Sequence, residues 1–230
     1  MPLRHLVLFD IDGTLLSTNG RGVRAMMVAY TAVWGRDPSH VEYRMSGKTE
    51  LGISHELLSL LGFSRAEVER GLPDFWEHYP RELRNHIDRS TTTVHPGVRE
   101  LVSTIAARQD MVLGLLTGNC EAAAGVKLEV AGLDGFQLGI YGAHHEQRDA
   151  LGPLAVETAQ RLYGHAFQGK SIVVIGDTPN DILCGRAVGA RTIAVGTGRI
   201  GLDTLARYEP DYLFADLSNQ AAVLDAIQAP

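Results

Sequence analysis

The chain has 230 residues, of which 45% are hydrophobic, and it carries a formal net charge of −6. This apolar share is ordinary for a globular protein, so the chain can form one large domain or a core with a smaller insertion. The negative charge argues against nucleic acid or an anionic membrane surface as the main partner. The two cysteines, Cys120 and Cys184, form no Cys-x-x-Cys pair, so neither a zinc site nor a thioredoxin-like motif is indicated.

The compartment is predicted from the same features. The apolar run near the amino terminus is too short for a signal peptide and is soon interrupted by Asp10, and no run reaches the length of a membrane span. Free thiols in a reducing compartment are the default for so few cysteines. We therefore expect a cytoplasmic protein that binds neither membrane nor nucleic acid.

The first predicted element is a strand that ends in two carboxylates. Leu6 to Phe9 is an apolar run without alternation, which is typical of a strand buried on both faces of a parallel sheet. Asp10 and Asp12 follow it and must leave the core, because an unpaired buried carboxylate is unstable. They are expected in the crevice at the carboxyl end of the sheet, where open α/β sheets bind ligands. A cation or a shared proton must offset their repulsion, and oxygen ligands favour Mg²⁺.

The next stretch, from about residue 20 to residue 90, contains no buried strand and is expected to be helical. Its aromatic residues are interpreted as the core of a small helical bundle. Pro73 and Pro80 complicate the ends of the last helix. Four helices are predicted: at residues 23–34, ended by Gly35; at residues 51–61; from a capping box that opens at Ser64; and along an aromatic stripe at residues 75–87.

From Thr91 onward, apolar strands alternate with amphipathic helices. This alternation predicts a mainly parallel sheet with right-handed crossovers. The predicted fold class is α/β: a doubly wound, Rossmann-like core of residues 1–16 and 91–230, with a helical cap of residues 17–90 inserted after the first strand. The further strands are predicted at residues 111–116, 138–141, 171–175, 192–195 and 212–214.

Polar residues recur where these strands end. Because the carboxyl ends of parallel strands lie at one edge of a sheet, such residues are expected to meet in one crevice although they are far apart in sequence. Solvated loops alone would not explain the coincidence. The residues are Asp10 and Asp12 after the first strand; Thr117, Gly118 and Asn119 after the second; Arg148 in the loop after the third; and Asp177 and Asp181 after the fourth.

The motif Asp10-Ile11-Asp12-Gly13-Thr14, together with Thr117 and Gly176-Asp177-x-x-x-Asp181, resembles the phosphatase branch of the haloacid dehalogenase superfamily. The resemblance covers nearly the whole chain and is greatest to the group of phosphoglycolate phosphatase and β-phosphoglucomutase. It implies that Asp10 attacks phosphorus and forms an aspartyl-phosphate, while Asp12 protonates the leaving alkoxide and then takes a proton from water. It also implies a Mg²⁺ ion held by Asp10, the backbone carbonyl of Asp12 and Asp177, with Asp181 bound directly or through water.

The resemblance further implies groups that bind the phosphoryl oxygens. Thr117 would donate a hydrogen bond to them, together with a backbone N–H of its loop, which contains Gly118. A lysine, or less often an arginine, usually faces the phosphate and the nucleophile. Arg148 is chosen because it lies at the correct end of the sheet and its guanidinium fork suits a phosphate. Lys170 precedes the fourth strand, and Lys127 lies well inside a helix.

Several assignments stay open at this level. Asn119 and Asp181 could instead cap helices. Lys48, in the segment Ser46-Gly47-Lys48-Thr49, resembles part of the substrate-specificity segment of related capped enzymes and could bind the distal part of the substrate or be solvated. His144-His145-Glu146 is interpreted as a loop, and no metal ligand is assigned there.

The predicted function is Mg²⁺-dependent hydrolysis of a small phosphorylated metabolite. A dehalogenase would need neither Mg²⁺ nor an acid at Asp12, and a sugar-phosphate mutase would need the cap to exclude water. A phosphonate hydrolase would need a Schiff-base lysine, for which Lys48 is the one candidate in the predicted cap. A non-catalytic phosphate-binding module would have no reason to keep Asp12 beside Asp10.

Overall fold

A computed structural model describes residues 4–230 and contains a six-stranded parallel sheet. The strands are β1 (His5–Phe9), β2 (Leu16–Ser17), β3 (Thr93–Val94), β4 (Met111–Leu116), β5 (Leu138–Ile140), β6 (Ile172–Gly176), β7 (Arg191–Val195) and β8 (Tyr212–Phe214). The sheet order is β5-β4-β1-β6-β7-β8, with every pair parallel. The α/β fold class is therefore confirmed.

Strand β1 lies in the middle of this sheet, and both of its faces are buried. Val7 and Phe9 belong to one hydrophobic cluster, and Leu6 and Leu8 belong to another on the opposite face. The absence of alternation in the sequence is explained by this position, because period-2 side chains enter a core on either side.

The helices in the described residues cover both faces of the sheet and the segment between β2 and β3. Two of the helices predicted in that segment are confirmed, and the first ends at Gly35, whose φ is 71°. The α-helices are α1 (Arg21–Trp34), α2 (Glu50–Leu60), α3 (Arg65–His86), α4 (Val98–Ala106), α5 (Glu121–Ala131), α6 (Leu151–Tyr163), α7 (Pro179–Ala187), α8 (Leu202–Ala206) and α9 (Gln220–Gln228).

The predicted third and fourth helices are wrong as separate elements, because the single helix α3 runs through both Pro73 and Pro80. The predicted capping box at Ser64 does open it. Each proline removes one backbone hydrogen bond from the helix. Packing compensates for this loss: the Phe75 ring stacks on that of Tyr30 in α1 with 4.5 Å between centroids, and on that of Tyr79 at 5.6 Å. Tertiary contacts therefore override the local helix-breaking signal.

Three elements were not predicted. Strands β2 and β3 pair antiparallel, with Leu16 opposite Val94. The two ends of the helical segment between them therefore lie side by side. Helix α9 near the carboxyl terminus buries Val223 and Ile227 against the sheet cluster. The predicted cap boundaries at residues 17 and 90 remain a prediction.

Helix α5 contributes to two hydrophobic clusters at once. Ala124 and Leu128 belong to the cluster on one face of the sheet. Ala123 and Val126 belong to a second cluster that contains buried residues of α1, α2 and α3. Helix α5 therefore forms a common wall between the sheet and the helical segment. No helix within residues 4–230 has the length and apolar character needed to cross a membrane.

Candidate active site

The three central strands bring their carboxyl ends together, as the sequence predicted. Strand β1 lies between β4 and β6, and the backbone N–H of Asp10 donates to the Ile175 carbonyl at 3.0 Å. Four side chains meet there, and we call them the inner cluster: Asp10, Arg148, Asp177 and Asp181. Their residues are between 2% and 7% exposed, so their charges interact in a desolvated environment.

Arg148 links two carboxylates of the inner cluster. Its Nη2 donates to Asp10 Oδ1 at 3.0 Å, to Asp181 Oδ1 at 2.6 Å and to the Leu116 carbonyl at 2.9 Å. Burial lowers the pKa of Arg148, but the carboxylates of Asp181 and Asp10 outweigh this effect and raise it. The guanidinium therefore stays charged, and its Nε is buried without a hydrogen-bond partner among the described residues.

The carboxylates of the inner cluster carry more negative charge than Arg148 offsets. Burial, followed by the charges of Asp10 and Asp181, raises the pKa of Asp177 above its ordinary value. Burial also raises the pKa of Asp10, although Arg148 opposes the shift. One carboxylate oxygen from each of these three aspartates lies within 4.8 Å of the other two. A closely spaced set of hard oxygen donors with unbalanced charge fits a small divalent cation such as Mg²⁺.

Two glycines leave the space that Asp177 occupies. A Cβ at Gly198 would lie 1.7 Å from Asp177 Oδ2, and a Cβ at Gly13 would lie 2.4 Å from the same atom. Thr14 Oγ1 donates to the other oxygen, Oδ1, at 3.1 Å. The position of Asp177 is thus fixed by backbone approach on one side and by a hydrogen bond on the other.

Asp181 has the capping role that the sequence left open and also lies in the inner cluster. Its Oδ2 accepts hydrogen bonds from the Thr178 backbone N–H at 3.1 Å and from the Thr178 hydroxyl at 2.7 Å, as part of a capping box at the start of α7. Its Oδ1 accepts the bond from Arg148. The capping box therefore also holds Asp181 in the inner cluster.

A second group of side chains lies beside the first, and of its four members only Asp12 is open to solvent. We call Asp12, Thr117, Asn119 and Lys127 the outer cluster. Asp12 Oδ2 accepts hydrogen bonds from Lys127 Nζ at 2.6 Å and from Asn119 Nδ2 at 2.7 Å. Asn119 Nδ2 also donates to Thr117 Oγ1 at 2.8 Å, and Lys127 Nζ donates to Asn119 Oδ1. Capping by Asn119 is wrong, because the residue at the start of α5 is Cys120 and its side chain makes no capping bond.

Sequence reasoning missed the position of Lys127. Its place inside a helix counted against it, yet its side chain is 4% exposed and its ammonium contacts Asp12. The available signal was the spacing: Lys127 follows Ala123 and Ala124 by four and three residues, on a helix face that is otherwise apolar. A lysine on such a face needs a buried partner.

Glu50 was also missed, and no pattern in the sequence distinguishes it from an ordinary acidic residue in a first helical turn. Its Oε2 accepts the Cys120 backbone N–H at 2.7 Å, and its own N–H donates to the Gly118 carbonyl at 2.7 Å. Burial raises the pKa of Glu50 to about 7, against the opposing charge of Lys127. Glu50 therefore joins α2 to the loop that follows β4.

The ammonium of Lys48 is not brought to either cluster. Its Nζ donates to Tyr43 Oη at 3.0 Å and to Glu56. Its backbone carbonyl instead packs on the loop after β4, where a Cβ at Gly118 would lie 2.1 Å from Lys48 O. The backbone of Lys48, and not its ammonium, is therefore close to the candidate site.

The chain is similar in sequence to known proteins over most of its length. The sequence profile of a family described as haloacid dehalogenase-like hydrolase matches residues 5–189. Phosphoglycolate phosphatase of Chromobacterium violaceum is 30% identical over 214 residues, which cover 89% of this chain and 91% of the relative. Pyrophosphatase PpaX of Halalkalibacterium halodurans is 26% identical over 217 residues, which cover 93% of each.

The solved structures show the same fold. β-Phosphoglucomutase from Clostridium difficile aligns with a TM-score of 0.71 at 14% identity, over 98% of this chain and 97% of that chain. A hydrolase from Pseudomonas syringae aligns with a TM-score of 0.69 at 19% identity, over 96% of this chain and 98% of that chain. The resemblance inferred from the motifs is confirmed.

Proposed function

This chain belongs to the haloacid dehalogenase-like hydrolase family and is a phosphatase of that family, and from that premise we propose that it is a Mg²⁺-dependent phosphomonoester hydrolase that works through an aspartyl-phosphate. The observation that carries the proposal is the inner cluster. It places a carboxylate beside a guanidinium and within reach of two more carboxylates. Such an arrangement suits the transfer of an anionic group to an anionic nucleophile.

Asp10 is the proposed nucleophile. Arg148 holds its Oδ1, whereas its Oδ2 accepts no hydrogen bond from the described residues and is the oxygen that attacks phosphorus. Arg148 Nη1 lies beside the loop after β4, 3.0 Å from where a Cβ at Gly118 would be, and would donate to a phosphoryl oxygen bound there. Arg148 therefore orients the nucleophile and the phosphoryl group together.

Asp12 is the proposed acid and base. In the first step the bond between phosphorus and the ester oxygen breaks, and the leaving alkoxide takes a proton from the Asp12 carboxyl. In the second step Asp12 takes a proton from water, which attacks phosphorus and releases Asp10 and inorganic phosphate. The Thr117 hydroxyl, held by Asn119 within the outer cluster, lies in the same crevice and would bind the phosphoryl group together with a backbone N–H of the Gly118 loop.

The metal would be held by Asp10, Asp177 and the backbone carbonyl of Asp12, with Asp181 nearby. When bound, Mg²⁺ would neutralise charge on the phosphoryl oxygens and on the carboxylates that surround them. The raised pKa of Asp177 supports this, because the cluster as it stands needs a further positive charge to keep its carboxylates ionised.

The proposed substrate is a small phosphorylated metabolite in the cytoplasm. The names of the two relatives point to phosphoglycolate and pyrophosphate as first compounds to test. The compound itself would be selected by the helices between β2 and β3, which the prediction assigns to a cap.

The deciding experiment measures phosphate release from a panel of phosphate compounds with Mg²⁺ and, separately, with EDTA. The panel contains phosphoglycolate, pyrophosphate, hexose phosphates, glycerol phosphate and p-nitrophenyl phosphate. We expect release that requires Mg²⁺ and disappears in Asp10→Asn. If the wild-type chain binds Mg²⁺ yet releases phosphate from none of these compounds, the proposed hydrolase activity is wrong.

A further inference from the structure

We propose that Lys127 is a positioning residue that, together with Asn119, holds the side chain of Asp12 so that a single oxygen, Oδ1, carries the proton in both steps. This inference rests on the proposed function, because Asp12 has a catalytic role only if the chain transfers phosphoryl groups. It assigns a second cation to the site. Lys127 orients the acid and base Asp12, whereas Arg148 contacts the nucleophile Asp10.

The geometry separates the two oxygens of Asp12. Lys127 Nζ and Asn119 Nδ2 both donate to Oδ2, at 2.6 and 2.7 Å. Oδ1 accepts no hydrogen bond from the residues that the structure describes. Since two donors fix Oδ2, rotation of the carboxylate is restricted, and Oδ1 is left to exchange a proton with the ester oxygen or with water.

The position of Lys127 is built into the surrounding elements. Its side chain is 4% exposed, whereas that of Asp12 is 44% exposed. The end of the Lys127 side chain packs beside Gly22 in α1, where a Cβ would lie in ordinary van der Waals contact, 3.7 Å from Lys127 Cε and 3.8 Å from Nζ. Asn119 Oδ1 accepts a further hydrogen bond from the same ammonium, so the lysine and the amide also orient each other.

A purely structural role explains this arrangement poorly. Burying an ammonium is unfavourable, and replacing a buried ion pair with apolar groups is often neutral or stabilising. Here the partner of the buried ammonium is a half-exposed carboxylate that faces the crevice. Such a pair limits the orientation of the exposed carboxylate, which is the property that an acid and base in two successive steps requires.

The test compares two leaving groups in Lys127→Met. A p-nitrophenolate ion leaves without being protonated, whereas an alkoxide such as that of glycerol phosphate needs the proton of Asp12. We expect the pre-steady-state burst of p-nitrophenol to persist within about threefold, since the variant retains Asp10, Arg148 and the metal site. The turnover of glycerol phosphate should fall by about 10²-fold, the usual contribution of a general acid or base.

A double-mutant cycle shows whether Lys127 acts through Asp12. In an Asp12→Asn background, Lys127→Met should change turnover by less than about twofold. Lys127→Arg, which keeps the charge, should restore part of the lost turnover. Equal losses for both leaving groups, or an undiminished further loss in the Asp12→Asn background, would overturn the proposal.

Lys170→Met is the matched control. It makes the same change of side chain, but Lys170 Nζ contacts Asp211 and the Ala190 carbonyl before β7, at the opposite end of the sheet. Its kinetics should equal those of the wild type. If the wild type itself releases no phosphate, the proposed function fails; if the wild type is active and Lys127→Met behaves like Lys170→Met, only the role of Lys127 fails.

Discussion

The inner and outer clusters use the same ingredients, carboxylates and one cation each, in different surroundings. In the inner cluster a buried guanidinium is shared by the buried carboxylates of Asp10 and Asp181. In the outer cluster a buried ammonium contacts the carboxylate of Asp12, which is 44% exposed. The first arrangement holds the carboxylates of Asp10 and Asp181 in fixed positions around Arg148. The second restrains a carboxylate that has to meet both substrate and water.

This difference follows from where the side chains originate. Asp10 directly follows β1, whereas Asp181 lies in the first turn of α7, the helix that follows the neighbouring strand β6. Lys127 and Asn119 come from α5 and from the loop before it, where the core meets α1 and α2. The inner cluster is thus defined by β1 and by the segments that follow β5 and β6, whereas the outer one also depends on the helical segment.

The largest effect is expected from Asp10→Asn. Turnover should fall by at least about 10⁴-fold, because the variant loses the proposed nucleophile. The fold should persist, since an asparagine oxygen can still accept the Arg148 bond and burial already disfavours the charged form of Asp10. Phosphate release and thermal unfolding, measured on the same preparation, check both statements. Activity comparable to wild type would rule out Asp10 as the nucleophile.

Arg148→Ala should weaken both phosphate recognition and the fold. Removing the shared guanidinium leaves Asp10 and Asp181 buried without it, which destabilises by about 3–5 kcal/mol for a broken buried pair. KM for the best substrate should rise by about tenfold or more. Urea unfolding in EDTA and in Mg²⁺ measures the first effect, and the cation should restore part of the stability. Unchanged kinetics would transfer the cationic role to Lys127.

Glu50→Gln should change how stability depends on pH. Burial raises the pKa of Glu50 from 4.5 to about 7, so the folded chain binds this proton more tightly than the unfolded chain. The wild type therefore loses stability as pH rises from about 4.5 to 7, and the glutamine variant lacks this component. The free energy of unfolding of the variant, relative to wild type, should increase by about 3 kcal/mol over that interval in EDTA. A constant difference would contradict the assignment.

The smallest effect is expected from Lys48→Ala. The Lys48 ammonium contacts Glu56 and Tyr43 at a partly exposed site, and such pairs contribute about 1 kcal/mol or less. The geometry predicts that KM changes by less than about twofold. A tenfold rise would instead support the substrate contact that the sequence left open for this lysine. Glu56→Gln is the control, because it breaks the same ion pair without removing the ammonium.

The parallel core was predictable because its signals are local. Unalternated apolar runs identify β1, β4 and β6, and the rule that parallel strands end at one edge brings Asp10, Arg148 and Asp177 together without knowledge of side-chain positions. The predicted strand at residues 111–116 matches β4 in full. To predict that these residues meet, it was enough to know the order of strands and helices along the chain.

The outer cluster was less predictable because it depends on the rotation of α5 and on contacts with the helical segment. Asn119 has the pattern of a helix cap, and only the three-dimensional arrangement shows that its side chain faces Asp12 instead. The prolines of α3 led to a different error, the prediction of two helices where the structure has one. A local signal for a helix end was outweighed by ring packing between α3 and α1, which sequence spacing does not measure.

Helix α5 has a consequence for how the chain unfolds. Its Ala124 and Leu128 complete the hydrophobic cluster of the sheet, and its Ala123 and Val126 complete that of helices α1 to α3. If either cluster unfolds, helix α5 loses the packing on one of its faces, and the other cluster then loses part of its support. Melting of the helical segment and melting of the sheet should therefore coincide, as one cooperative transition seen equally by far-UV and near-UV circular dichroism.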